Sequence, residues 1–121
     1  MNEQIKQALE RSQTIDITTI GRKTGQPRRI EIWFHNLDGQ LYITGLPGRR
    51  DWYANLKAKP EFTFHLKEIA QADLPATARV IEAMAERREV FSRLLPKLNQ
   101  AADFATWLER SPLVEVTLEL E

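Results

Sequence analysis

The chain has 121 residues carrying 17 basic and 17 acidic side chains, so its formal net charge is zero, which argues against a general electrostatic pull on nucleic acid or acidic lipid. With 42% hydrophobic and 28% charged residues it is too apolar for a disordered tail, and it has no apolar run long enough to span a bilayer. Its length suits one domain over residues 1–121, and the lack of cysteine excludes disulfides, a thiolate nucleophile and cysteine-based metal sites. Residues 1–10 lack the apolar segment of a signal peptide, so the cytoplasm is the expected setting.

Asn2 to Gln13 sets Ile5 and Leu9 on one side of a short opening helix. From Thr14 to Ile20 the sequence is β-branched and reads as a strand. Gly21 to Gln26 punctuates it. Pro27 to His35 resumes an extended pattern, with Ile30, Ile32 and Phe34 opposite Arg29, Glu31 and Trp33. Asp38-Gly39 is a hairpin signal leading into a strand over Leu41 to Thr44. Asp51 is placed to cap a short helix that Pro60 stops. Phe62 to Lys67 alternates as a strand, and Gln71 to Ile81 reads as another, with Pro75 marking an edge or bulge. Glu82 to Leu95 and Ala101 to Arg110 read as helices separated by Pro96, and Val114 to Leu120 as the last strand. Glu82, Glu86 and Glu89 with Arg87, Arg88 and Arg93 are expected to form a solvated helix face.

Hairpin-joined strands with few helices predict a mainly β (α+β) fold, a small barrel of about six antiparallel strands with peripheral helices. No glycine-rich turn of the dinucleotide type follows the first strand.

Between Gly21 and Lys59 the charge is one-sided: eight lysines and arginines stand against Glu31, Asp38 and Asp51. In Gly21-Arg22-Lys23-Thr24-Gly25-Gln26-Pro27-Arg28 two glycines free backbone N–H groups, while Lys23 and Arg28 can bring a point charge and a planar fork to one anion. These residues fit a phosphate site, but composition alone favours a solvated hairpin kept soluble by its cations. Gly45 to Asp51 is a second glycine loop, feeding a helix N-terminus that also favours an anion. Trp52 and Tyr53 follow; as helix neighbours they face different ways, so at least one anchors the core. His35 and His65 lie in strands without a cysteine or paired carboxylate nearby, so no metal site is expected. Neither Ser12 nor Ser111 has the setting of a hydrolase nucleophile.

Two long segments, Thr18 to Arg28 and Asp51-Trp52-Tyr53-Ala54-Asn55-Leu56-Lys57-Ala58-Lys59-Pro60, with an Asp-Gly hairpin between them, closely resemble the deazaflavin (F420)-dependent nitroreductase and F420H2-dependent quinone reductase family. The resemblance implies a split β-barrel of the flavin-reductase or FMN-binding type. It implies that Lys23 and Arg28, with Thr24 and Gly25 in the same turn, hold the phosphate of coenzyme F420. Thr44 and Gly45 would run beside the deazaflavin ring, and Trp52, Tyr53 and Asn55 near the ring or its side chain. Trp33 would face a substrate pocket. Some relatives line that pocket with tyrosines; here the corresponding positions are Leu98, Ala101 and Phe104, and no tyrosine follows Tyr53. Charge suggests that Arg49 and Arg50 meet the coenzyme's acidic polyglutamate tail. The expected function is hydride transfer from reduced F420 to a small quinone, nitro or enone acceptor, with no side chain assigned a catalytic role because the cofactor carries the chemistry. The alternatives are an FMN-dependent oxidoreductase of the same fold, or a non-catalytic carrier of an apolar anion. A homodimer is expected from open sheet edges.

Overall fold

The alternation written into the sequence becomes one antiparallel sheet. The computed structural model describes residues 2–120, running α1 (Glu3–Arg11), β1 (Thr14–Ile20), β2 (Pro27–Trp33), β3 (His35–Leu37), β4 (Gln40–Thr44), α2 (Asp51–Ala58), β5 (Glu61–Leu66), β6 (Ala72–Val80), α3 (Met84–Leu94), two 3-10 turns, α4 (Phe104–Arg110) and β7 (Leu113–Leu118). The sheet order is β2-β1-β5-β6-β7-β4-β3. Its two outermost strands are consecutive in the chain, separated only by Phe34, so the sheet has to curl until its edges approach. Phe34 makes the joint. Its N–H donates to the Gln13 carbonyl at 3.1 Å, and its buried ring meets Phe64 edge-on with centroids 5.4 Å apart. The single strand expected over Pro27 to His35 is therefore two strands, giving seven instead of about six. Asp38 and Gly39 turn β3 into β4 with φ of 53° and 92°, the positive pair that a tight hairpin requires.

Side-chain alternation sends residues to two cores. Ile15 and Ile17 of β1, Ile43 of β4, Phe64 of β5 and Val114 of β7 fill the barrel with Leu56 of α2. Tyr42 of β4 and Leu113 of β7 point outward, where Val90, Phe91 and Leu94 of α3 and Trp107 and Leu108 of α4 cover them. β4 is thus buried on both faces apart from Gln40. β2 is the opposite: six of its seven residues are exposed, although Ile30 and Ile32 pair with Ile17 and Ile15 and share their inward face. The barrel is open along β2.

Three expectations are corrected. Asp51 is the first residue of α2 and does not cap it; the N-cap is Arg50, which makes no side-chain capping bond. Pro75 lies on β6, an interior strand paired with β5 and β7, and not on an edge. Its carbonyl accepts from the Glu119 N–H at 2.9 Å, just past the end of β7. The missing donor of the proline therefore falls where that ladder runs out. Arg87 does not belong to a solvated face: it is 6% exposed. Its guanidinium donates to the carbonyls of Ile81 (2.9 Å), Trp107 (3.3 Å), Leu108 (2.7 Å) and Ser111 (2.6 Å), three of them at the C-terminal end of α4. A buried cation is held there by carbonyl dipoles and orphan helix-end acceptors instead of a carboxylate.

Candidate functional site

The turn between β1 and β2 opens onto a cavity of about 520 Å³ lined by Thr19, Gly21, Arg22, Lys23, Thr24, Arg28, Ile30, Asp51, Trp52 and Asn55. Its frame is local. Gly21 N–H donates to the Gln26 carbonyl and Gly25 N–H to the Gly21 carbonyl, both at 2.8 Å, and the Gln26 N–H reaches Thr24 Oγ1 at 3.2 Å. A Cβ on Gly21 would stand 2.7 Å from Thr24 Oγ1 and 3.3 Å from the Gln26 carbonyl oxygen, so the tight turn itself requires glycine. Gly25, with φ of 71°, serves the turn and does not line the cavity.

The cations of this turn divide by task. Arg22 is committed to α2: its guanidinium donates to Asn55 Oδ1 at 2.9 Å and reaches Asp51 Oδ1 at 3.5 Å. Asn55 is 4% exposed, accepts also from the Arg22 N–H and donates to Thr19 Oγ1 at 3.3 Å. It ties α2 to β1 and spends its amide within the protein. Lys23 and Arg28 are exposed and, among the described residues, have no carboxylate partner. Two unneutralised cations over a glycine floor fit a phosphate-bearing ligand.

A second cavity of about 1100 Å³ adjoins the first through Arg22 and Asp51 and is lined by Gly48, Arg49, Arg50, Tyr53, Ala54, Lys57, Arg110 and Pro112. Arg50 spends its fork on the loop, donating to the carbonyls of Arg49 (2.9 Å) and Leu46 (3.0 Å). Gly48 permits this with φ of 132°, where a Cβ would meet the Arg50 guanidinium at 3.1 Å. Lys57 lies 4.7 Å over the Tyr53 ring. Five cations therefore face one carboxylate here. Arg110, which sequence reading did not single out, reaches the cleft only because α4 ends beside the 45–50 loop, where the Gly48 N–H donates to the Arg110 carbonyl at 3.1 Å.

The third cavity, about 490 Å³, lies at the other end of β2 and is lined by Glu31, Ile32, Trp33, His35, Thr44, Gly45, Leu46, Leu98, Gln100 and Trp107. It brings together Trp33, Leu98, Thr44 and Gly45, which the sequence linked only through resemblance. Ala101 and Phe104 are outside this lining: Ala101 is exposed, and Phe104 packs against the helical core. Gln100, Trp107 and His35 stand there instead. Burial pushes the His35 imidazole down to about 4, so it is neutral at physiological pH. The Thr44 hydroxyl is spent on the Pro112 carbonyl at 2.5 Å, and Glu31 is paired with Lys67. Arg28 and Ile30 border the first cavity and Ile32 the third. At roughly 3.3 Å per strand residue the two ends lie about 13 Å apart along β2.

His65 belongs to none of these cavities. Its Nε2 lies 2.7 Å from Thr18 Oγ1 and its Nδ1 2.7 Å from Asp73 Oδ1. The order resembles a nucleophile–base–acid triad, but Thr18 sits mid-strand and lines none of the three cavities.

Comparison with known proteins gives this geometry its context. Among solved structures, the heme storage protein HutZ of Vibrio cholerae superposes with a TM-score of 0.72 at 17% identity, over 97% of this chain and 89% of that one. A putative pyridoxamine 5'-phosphate oxidase of Listeria innocua gives 0.68 at 14% identity, over 96% and 91%. The F420-H2 dependent reductase FDR-A gives 0.63 at 24% identity, over 89% and 95%. These likenesses establish the split-barrel fold of FMN-binding and pyridoxamine-oxidase type. The sequence profile of the F420H(2)-dependent quinone reductase family matches residues 1–119. With the profile spanning nearly the whole chain, the protein belongs to that family and is an F420-dependent reductase.

Proposed function

We propose that the chain binds F420 along β2, with its phosphate at Lys23 and Arg28, its acidic tail in the cationic cleft, and its ring toward Thr44 and Gly45. The observation that carries this reading is the pair of unneutralised cations over the Gly21 floor. The strand leads from them to a separate, largely apolar cavity, and the spacing suits a sugar-alcohol chain between phosphate and ring. The coenzyme, when reduced and bound, supplies a hydride. The protein's own part is to hold the phosphate, bury the reacting end and orient an acceptor against Trp33, Ile32 and Leu98. The acceptor we assign is a small flat organic molecule of quinone, nitro or enone type, taking up the hydride and one proton from water.

Arg49 and Arg110 are the cations of the second cleft whose guanidinium groups have no hydrogen bond or ion pair among the described residues, and we assign them to the tail carboxylates. The open edge of β2, with Trp33 at 54% and Leu46 at 60% exposure, supports pairing of two copies, which light scattering tests. No helix among the described residues is long and apolar enough to cross a membrane.

Fluorescence titration of the protein with F420 and with FMN tests the reading, followed by anaerobic oxidation of reduced F420 with a panel of acceptors. Tight F420 binding and acceptor-dependent oxidation support it. Binding of FMN alone favours the flavin alternative, and binding of neither with uptake of fatty acid favours the carrier.

A further inference from the structure

We propose that His35 is the specificity-determining residue of the third cavity, its imidazole donating a hydrogen bond to an oxygen of a flat, uncharged acceptor. The inference rests on the functional reading above and deepens it by naming the polar contact that selects the acceptor.

The walls of this cavity are aromatic and aliphatic: Ile32, Trp33, Leu46, Leu98 and Trp107. Such walls take a flat apolar ring and leave its orientation free, so orientation falls to the few polar groups that converge there. Those groups are Glu31, His35, Thr44 and Gln100, besides the indole N–H donors of Trp33 and Trp107, which offer no acceptor. Glu31 is occupied by Lys67, and the Thr44 hydroxyl by Pro112. His35 and Gln100 keep hydrogen-bonding atoms with no protein partner among the described residues. Gln100 lies on the loop between the two 3-10 turns. His35 is different: it begins β3, pairs with Tyr42 of β4, and follows directly on the Phe34 joint. Its backbone is the better fixed of the two.

Charge decides what that imidazole can hold. A histidine kept neutral by burial offers one N–H donor and one acceptor and no positive charge. The one carboxylate of the lining, Glu31, is already paired with Lys67, so the lining offers no free cation to hold an anionic acceptor. A neutral carbonyl on an apolar ring satisfies the free N–H, and an acceptor without that oxygen covers the N–H without replacing the bond it makes to water.

The test uses the full chain with His35→Leu and His35→Gln, the latter retaining an N–H donor. Menadione is the oxygen-bearing probe, and methylene blue the flat acceptor without a carbonyl. Trp33 and Trp107 line the cavity, so quenching of tryptophan fluorescence reads menadione binding without turnover. His35→Leu is expected to weaken menadione binding about tenfold, with KM rising in parallel, while His35→Gln recovers at least part of the loss. Methylene blue reduction is expected to change less than twofold. Menadione binding within twofold of the parent in His35→Leu overturns the proposal, as does an equal loss with both acceptors or no menadione binding by the parent. Titration of the same variants with F420 separates the two readings: failure of the parent to bind F420 overturns the functional reading, whatever the quenching shows.

Discussion

β2 and β4 have similar inward alternation of aliphatic residues, yet one is open to solvent along most of its length and the other is enclosed on both faces. The difference lies in what stands opposite. β4 has the barrel core on one side and α3 and α4 on the other, so every residue from Leu41 to Thr44 is buried. β2 has β1 along one edge and cavities at both ends; Ile30 faces cavity, and Ile32 borders a cavity while packing only in part against the core. The enclosed strand carries stability, and the open one carries the proposed site. Substitutions in the two regions should therefore separate, one set altering folding and the other altering binding.

The largest effect is expected on the enclosed side. Arg87→Met removes the donor of four buried carbonyl bonds and should lower unfolding stability by about 3–4 kcal/mol, read as a fall in the denaturation midpoint. F420 affinity of the folded fraction should stay within twofold. A stability loss below 1 kcal/mol would show that water replaces the guanidinium freely.

His35 sharpens the comparison, because it lies where β2 ends and the helical side begins. Its folded value near 4 is below its ordinary 6.5. The unfolded chain therefore takes up a proton first as pH falls, and stability present above pH 6.5 is lost between pH 6.5 and 4. The loss amounts to about 3 kcal/mol at one pKa unit per 1.36 kcal/mol. Asp16, Glu68, Asp73 and Glu86 are also held low, chiefly by hydrogen bonds from Lys67, Thr14, His65 and Arg79 respectively. Their contributions disappear only as pH falls through still lower values. His35→Gln should flatten the stability curve between pH 6.5 and 4.5 and leave the steeper acid limb in place; denaturant titrations across pH check this.

On the open side, Lys23→Ala should weaken F420 binding by about 1.5–3 kcal/mol with stability unchanged within about 0.5 kcal/mol. Arg49→Ala, on an exposed cation, should cost about 0.5–1 kcal/mol of F420 affinity, with the effect fading as salt is raised from low to physiological concentration. A salt-insensitive loss would remove Arg49 from the tail's path.

Much of the framework was legible in the chain. Strands β1, β5 and β7 alternate cleanly, and Asp38-Gly39 declares its turn. The Gly21–Arg28 turn stood out too, because glycines and cations stand close together in sequence, but composition alone favoured a solvated hairpin and only the family resemblance pointed to phosphate. What escaped depends on contacts distant along the chain. Arg87 reads like any charged helix residue until α4 brings its carbonyls. Ile30 and Ile32 have the pattern of core residues, and nothing local says that their face is open. The third cavity draws on β2, β3, β4, the 3-10 loop and α4, so His35 and Gln100 gave no signal that spacing could reveal. Ala101 and Phe104 were assigned by resemblance to tyrosine positions of relatives; Ala101 falls in an exposed 3-10 turn, and Phe104 begins α4 and packs against the helical core.

The central claim is that Lys23 and Arg28 grip a phosphate. Dissociation constants of F420 and of its dephosphorylated deazaflavin analogue, measured for the parent and for Lys23→Ala, test it most directly. The parent should prefer F420 strongly, and Lys23→Ala should lose most of that preference while binding the analogue as the parent does. Equal weakening toward both ligands, or an undiminished preference for F420, would contradict the account.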